Sequence, residues 1–313
     1  MDYKEKKMAI AKRVFLFLLI NFLVVITLSF FLSVFNIKPY LQSYGLNLYS
    51  LMIFCFVWGM GGAFISLLLS RKIALWMMRV QLIDSHTKDP SLQRLLTIVH
   101  KFSRDANLSD FPQVGVYNSL ELNAFATGPT KKRSLIAVST GLLNRMSEKE
   151  LEGVIAHEMA HIQNGDMVTM TLLQGVINAF VMFLARVLAY ICSGLSRNRN
   201  NSSTGSYFSY VIFVFLFEVI FMVLGSLIIC AFSRFREFRA DRGGAFLAGR
   251  ENMIAALKAL QKNVQTQDPQ TAVAAFQAFK ISTPKKSSIT RWFATHPPLE
   301  ARIERLKDHN GFS

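Results

Sequence analysis

Four apolar stretches set the plan of this chain. Val14 to Phe35 runs almost unbroken and without a charge, and Leu48 to Leu69 repeats the pattern; each can cross the about 30 Å of bilayer hydrocarbon. Met167 to Cys192 and Tyr207 to Phe232 are two more, interrupted by Arg186 and Glu218. The pattern predicts four transmembrane helices in two hairpins. The first run is longer than the roughly 7 to 15 apolar residues of a secretory signal and no small-residue cleavage site follows it, so it reads as a retained anchor. Thr171, Gln174 and Asn178 share one helical face and are expected to pack against protein rather than lipid. Arg186 and Glu218 are expected to serve structure rather than chemistry, by pairing or by reaching polar surroundings separately.

Polar segments alternate with these runs and divide the chain into a basic head and first hairpin (1–70), a first polar part (71–166), a second hairpin (167–232) and a second polar part (233–313), the two polar parts expected to build one domain. Within the first polar part, Ser91 to Ala106 has helical periodicity. Gln113 to Tyr117, Ala124 to Thr127 and Ser134 to Ser139 alternate as short strands, the last two joined by the turn Gly128 to Arg133. A small antiparallel sheet is predicted. Ser193 to Ser206, rich in Ser, Asn and Gly, reads as a flexible connector.

Composition agrees with a membrane protein. Of 313 residues, 51% are hydrophobic, too many for an ordinary soluble enzyme. The net charge is +15, but Lys4, Lys6, Lys7, Lys12 and Arg13 precede the first run and Arg71, Lys72 and Arg79 follow the second, whereas the loop between offers only Lys38. That asymmetry predicts cytosolic flanks. Lys131 to Arg133 reads as a solvated turn, and no nucleic-acid motif is present. Cys55, Cys192 and Cys230 lie in apolar stretches without metal or disulfide spacing, which predicts buried thiols.

The chemistry centres on His157-Glu158-Met159-Ala160-His161. Two histidines four apart stack on one helical face and can hold one zinc ion, with Glu158 placed as general base. Ser147 and Glu150 form a capping-box signature that starts the helix near Ser147. A catalytic zinc commonly has three protein ligands and one open position. Glu237 is the chosen third ligand, with Asp241 one turn on and able to orient an imidazole. Asp166 and His296, the latter in a Thr-His-Pro-Pro-Leu turn, are rivals; position 167 is Met, which excludes the zincin pattern with a third histidine there.

These motifs, with Asn123-Ala124-Phe125-Ala126 upstream, resemble the HtpX-type membrane zinc metallopeptidases, a group that also includes the CAAX prenyl proteases, over nearly the whole chain. The resemblance implies a mainly α integral membrane protein: four transmembrane helices and a cytosolic gluzincin-type α+β zinc peptidase domain. It implies one zinc on His157, His161 and Glu237, water activation by Glu158, Asp241 behind a histidine ligand, and substrate docking along Asn123 to Ala126. It implies hydrolysis of misfolded or damaged membrane proteins at the cytoplasmic face of the bacterial inner membrane, under stress. His296 is a candidate donor to the developing oxyanion. The competing reading is a catalytically silent zinc-binding scaffold, which has no need of Glu158.

Overall fold

The computed structural model describes residues 47–197, 203–266 and 291–308. Along them run α1 (Leu48–Met77), β1 (Gln81–Leu82), α2 (Pro90–Asp105), β2 (Gln113–Tyr117), β3 (Ala124–Thr127), β4 (Leu135–Ser139), α3 (Thr140–Arg145), α4 (Glu148–Asn164), α5 (Asp166–Arg197), α6 (Ser203–Ala248), α7 (Arg250–Thr266) and α8 (Leu299–Lys307). By length and composition, α1, α5 and α6 can each cross a membrane. The first expected span, Val14 to Phe35, lies outside the described residues. Both ends of the expected flexible connector, Ser193 to Ser206, are helical, and residues 198–202 of it lie outside the described residues. Helix α5 runs on to Arg197 and α6 begins at Ser203, because extending an existing helix over polar residues is far easier than nucleating one.

The chain divides into two compact units. One takes in the described residues up to Ile65 together with Thr171–Ile228; the other takes in Ser66–Met170 and the described residues from Ile229 onward.

In the first unit α1 packs on α5 through Cys55, Phe183 and Val187. Gly59 permits the approach, since a Cβ there would lie 2.5 Å from the Ala179 nitrogen. Small residues at such crossings let backbones close on one another where apolar burial gives little drive. Of the three polar residues expected to meet protein, Thr171 and Asn178 are half-buried and Gln174 is exposed, and the packing centres beside them on Gly175 and Val176. Arg186 does pair with Glu218, Nη1 to Oε1 at 2.7 Å, and also donates to the Met182 carbonyl at 3.0 Å. Among the cysteines Cys55 and Cys230 are buried, and Cys192 is half-buried.

The second unit is built around a four-stranded sheet in the order β1-β2-β4-β3. The expectation of an antiparallel sheet is corrected here. β3 pairs antiparallel with β4 as the turn between them requires, but β2 runs parallel to β4. The link from Tyr117 to Ala124 is too short for a separate element, yet it crosses the end of β4 instead of folding back as a hairpin. Ser139 and Thr140 hold it there. The Ser139 hydroxyl donates to the Glu121 carbonyl and accepts from Asn123 N, and Thr140 Oγ1 accepts from Ser119 N.

Helix α2 starts as Asp89 accepts from Ser91 N and Leu92 N, with Pro90 at the first helical position. Its Leu95, Val99 and Phe102 join Ile136 and Val138 of β4, Val154, Ile155 and Met159 of α4, Leu257 of α7 and Ile303 of α8 in one core. The basic turn is not simply solvated, because Lys131 Nζ donates to the Gln163 carbonyl in the last turn of α4, where carbonyls attract cations.

A membrane-helix polar pair contributes about 0.6 kcal/mol on average and about 1.7 at most. Glu218→Ala should accordingly lower unfolding stability in detergent by about 1 kcal/mol, and Glu218→Gln, which keeps an acceptor, by less. Denaturation followed by circular dichroism measures both, and an Ala variant as stable as the parent would leave the pair without a stabilising role.

Candidate metal centre

Helix α4 is fixed at both ends. Glu150 Oε2 accepts from the Ser147 amide and hydroxyl, each at 2.8 Å, and Gly165 ends the helix in the left-handed region at φ 68°, ψ 37°. A residue with a Cβ pays for that conformation; glycine does not. The stop is what places Asp166, the next residue, beneath the last turn. Between these ends the apolar stripe of α4 faces the core, and His157, Glu158 and His161 are buried with it.

Helix α6 brings the carboxylates. It approaches α4 at Gly244, where a Cβ would lie 3.1 Å from His157 N, and at Gly243, where one would lie 2.8 Å from Ala160 Cβ. One to two turns earlier on α6 stand Asp241 and Glu237, both buried.

One potential ligand atom from each of His157, His161 and Glu237 lies within 4.8 Å of the other two. His157 Nε2 is 3.3 Å from Glu237 Oε2, His161 Nε2 is 3.2 Å from Glu237 Oε1, and the two Nε2 atoms are 3.2 Å apart. The far side of each ring meets a carboxylate. His161 Nδ1 lies 2.6 Å from Asp166 Oδ2, and His157 Nδ1 lies 3.0 Å from Asp241 Oδ1. Carboxylates accept only, so both Nδ1 atoms carry a proton, and it is the Nε2 atoms that face the shared space and would offer lone pairs to a metal on losing theirs.

The donor set fits a cation. Glu237 Oε1 is buried without a hydrogen-bond partner among the described residues, and two imidazoles with one carboxylate suit zinc and leave a fourth position open. Burial alone would drive protons off the histidines. It is outweighed at His161 by the Glu237 charge and the Asp166 bond, which carry it up to about 9, and at His157 by Asp241 and Glu237, which also raise it. A cation entering this site displaces protons.

Asp166, weighed from the sequence as a rival ligand, stands instead behind His161. His296, the other rival, lies with Nδ1 2.8 Å from Glu237 Oε2. Glu158 is buried on α4 between the two histidines. Asn123 to Ala126 lie at β3, the edge of the sheet, where Asn123 Oδ1 is buried without a partner among the described residues.

The model of peptidase family M48 matches residues 88–310, which span every one of these groups. The chain belongs to that family. It is 48% identical over 307 residues to a protein named protease HtpX homolog from Bacillus pumilus, covering 95% of this chain and 99% of the relative. A protein of the same name from Bacillus subtilis is 46% identical over 306 residues, with the same coverage of each. Among solved structures, the crystal structure of S. mikatae Ste24p is similar in fold, with a TM-score of 0.57 at 20% identity, covering 93% of this chain and 67% of that one.

Sequence reasoning passed over Arg302. Its side chain is wholly buried and holds Asp241 with two bonds, Nε to Oδ2 at 2.8 Å and Nη2 to Oδ1 at 2.6 Å. Nη1 sits 3.7 Å from Glu237 Oε2. Burial and the Asp241 charge act on it in opposite directions, and the neighbouring carboxylates prevail, raising its pKa. A signal was present: Leu299, Arg302, Ile303 and Leu306 are the buried residues of α8, so the arginine stands inside the apolar stripe at helical spacing. Removing one member of a buried pair costs about 3–5 kcal/mol. Arg302→Met should therefore destabilise the protein by about that amount, read as a lower unfolding midpoint in detergent, and an unchanged midpoint would mean that the pair is not coupled to the fold.

Proposed function

We propose that this chain is a zinc-dependent endopeptidase of the bacterial inner membrane, which hydrolyses polypeptides, misfolded or damaged membrane proteins among them, at the cytoplasmic face. The observation that carries the reading is the convergence of His157, His161 and Glu237 on one point in a chain whose relatives are named proteases. The basic residues before the first apolar run and after the second support the cytosolic orientation.

His157, His161 and Glu237 would hold the metal, and Asp241 and Asp166 would fix the imidazoles through their Nδ1 atoms. Bound zinc would supply Lewis acidity, polarising the scissile carbonyl and making water a nucleophile near neutral pH. Glu158 takes the proton of the attacking water and delivers it to the leaving amide nitrogen, so no covalent acyl-enzyme forms. With its Nδ1 engaged by Glu237, His296 donates to a developing oxyanion through Nε2 only as the imidazolium. The free side of β3 suits an extended substrate: the Asn123 backbone is already bonded to Ser139, and by the alternation of an antiparallel pair Ala124 and Ala126 supply the outward pairing groups of the stretch from Asn123 to Ala126.

Glu158→Gln leaves the proposed ligands intact and removes only the base. It should keep one zinc per chain and lose cleavage of an unfolded protein substrate by at least about 100-fold, the usual scale of general-base loss. Metal analysis beside a gel assay reads both, and cleavage at the parental rate would remove Glu158 from the mechanism. Glu237→Ala should lose zinc and activity together, whereas Asp241→Ala should weaken zinc affinity by about 10- to 100-fold. Full zinc affinity in the Glu237 variant would move the third ligand elsewhere.

A further inference from the structure

Behind the metal centre lies a second concavity of about 200 Å³, lined by Phe235, Phe238, Arg239, Arg242, Arg302 and Arg305. Four arginines face a single lining carboxylate, Asp241, and that carboxylate is already engaged by Arg302. Arg239 donates through Nη2 to Asp166 and keeps its Nε buried without an acceptor among the described residues. Arg242 and Arg305 are exposed and have no carboxylate partner among the described residues; Arg305 only stacks over the Phe238 ring, 4.6 Å from its centroid. The site is thus a cationic cup with an unmet donor. Phe235, 61% exposed, gives it an apolar rim.

Sequence supplies the rest of the argument. Arg234, Arg236, Arg239 and Arg242 follow directly on the apolar run that ends at Phe232. Basic clusters and pockets at the end of a membrane helix attract anionic headgroups, each arginine near the surface adding about 1 kcal/mol. Guanidinium forks match phosphate oxygens two at a time, which ammonium groups do not. We propose that this pocket binds a phosphate-bearing anion, the headgroup of an anionic phospholipid. Its walls give the binding a consequence for the neighbouring centre. Arg239 and Arg302 hold Asp166 and Asp241, the two carboxylates on which the Nδ1 atoms of His161 and His157 rest. A phosphate in the pocket touches the back of both.

Binding is measured on the zinc-loaded full chain in neutral detergent by native mass spectrometry. The probes are short-chain phosphatidylglycerol, short-chain phosphatidylcholine with the same tails, and inorganic phosphate. Phosphatidylglycerol should bind about tenfold tighter than phosphatidylcholine. The double variant Arg242→Gln/Arg305→Gln changes two exposed side chains and should retain its zinc and helical circular dichroism while losing that preference. Arg242→Lys/Arg305→Lys, which keeps charge without the fork, should retain part of it. Inorganic phosphate that displaces the lipid at equal concentration would support the phosphate chemistry but assign the site to a soluble ion. Equal binding of the two lipids, or a preference unaltered in the folded Gln variant, would overturn the proposal.

Discussion

Two imidazoles converge on one point only if something holds each of them from behind. In this protein that work falls to two buried carboxylates, Asp166 behind His161 and Asp241 behind His157, and each is held in turn by an arginine, Arg239 and Arg302. Neither chain of contacts is local. Arg302 is 61 residues from Asp241, and Arg239 is 73 from Asp166. The centre therefore exists only when α4, the start of α5, α6 and α8 are all in place, and the shared core beneath the first and last of these is what makes their assembly cooperative. Glycine at 244 and the left-handed turn at Gly165 are small local conditions for the same geometry: one lets α6 reach His157, the other ends α4 one residue before Asp166.

The parts of this arrangement that local chemistry dictates were legible in the sequence. The capping box at Ser147 and the i, i+4 histidines located α4, and the same spacing put Glu237 and Asp241 on one face. Strands at 113–117 and 124–127 follow from alternation and turn residues. Sheet order did not follow, because pairing direction depends on where a short link travels. The link after β2 is anchored across the end of β4 by the Ser139 and Thr140 hydroxyls, a long-range contact that leaves no periodic trace. Arg302 escaped for a related reason. An arginine near apolar neighbours on a short helix reads as an amphipathic edge, and only a carboxylate supplied by another element turns it inward.

Packing between the apolar helices obeys a different rule. Polar residues on α5 suggested which side would meet protein, but close approach at glycines set its centre: Gly59 against the Ala179 backbone, and Gly175 against the Met60 side chain. Where lipid is as apolar as any side chain, contact area at small residues outweighs the placement of a single glutamine. Arg186 and Glu218 are the exception that a low dielectric enforces, since each lacks an equally good partner in hydrocarbon.

Charge balance links the metal proposal to the titration of the histidines. Four carboxylates gather at the centre, Glu158, Asp166, Glu237 and Asp241, all nearly inaccessible. Arg239 and Arg302 are bonded to that set, while Arg236 Nε stands 3.8 Å and His296 Nδ1 2.8 Å from Glu237. The carboxylates are thus surrounded by cationic and proton-donating partners in a place where uncompensated charge is costly. His157 and His161 face the same carboxylates, which raises both rings despite a burial that would lower them. A cation entering between the rings would displace protons and take up the Nε2 lone pairs. Glu237 Oε1, beside His161 Nε2 and without a hydrogen bond among the described residues, is placed to join them. The arginines thus set the charge as well as the orientation of the centre.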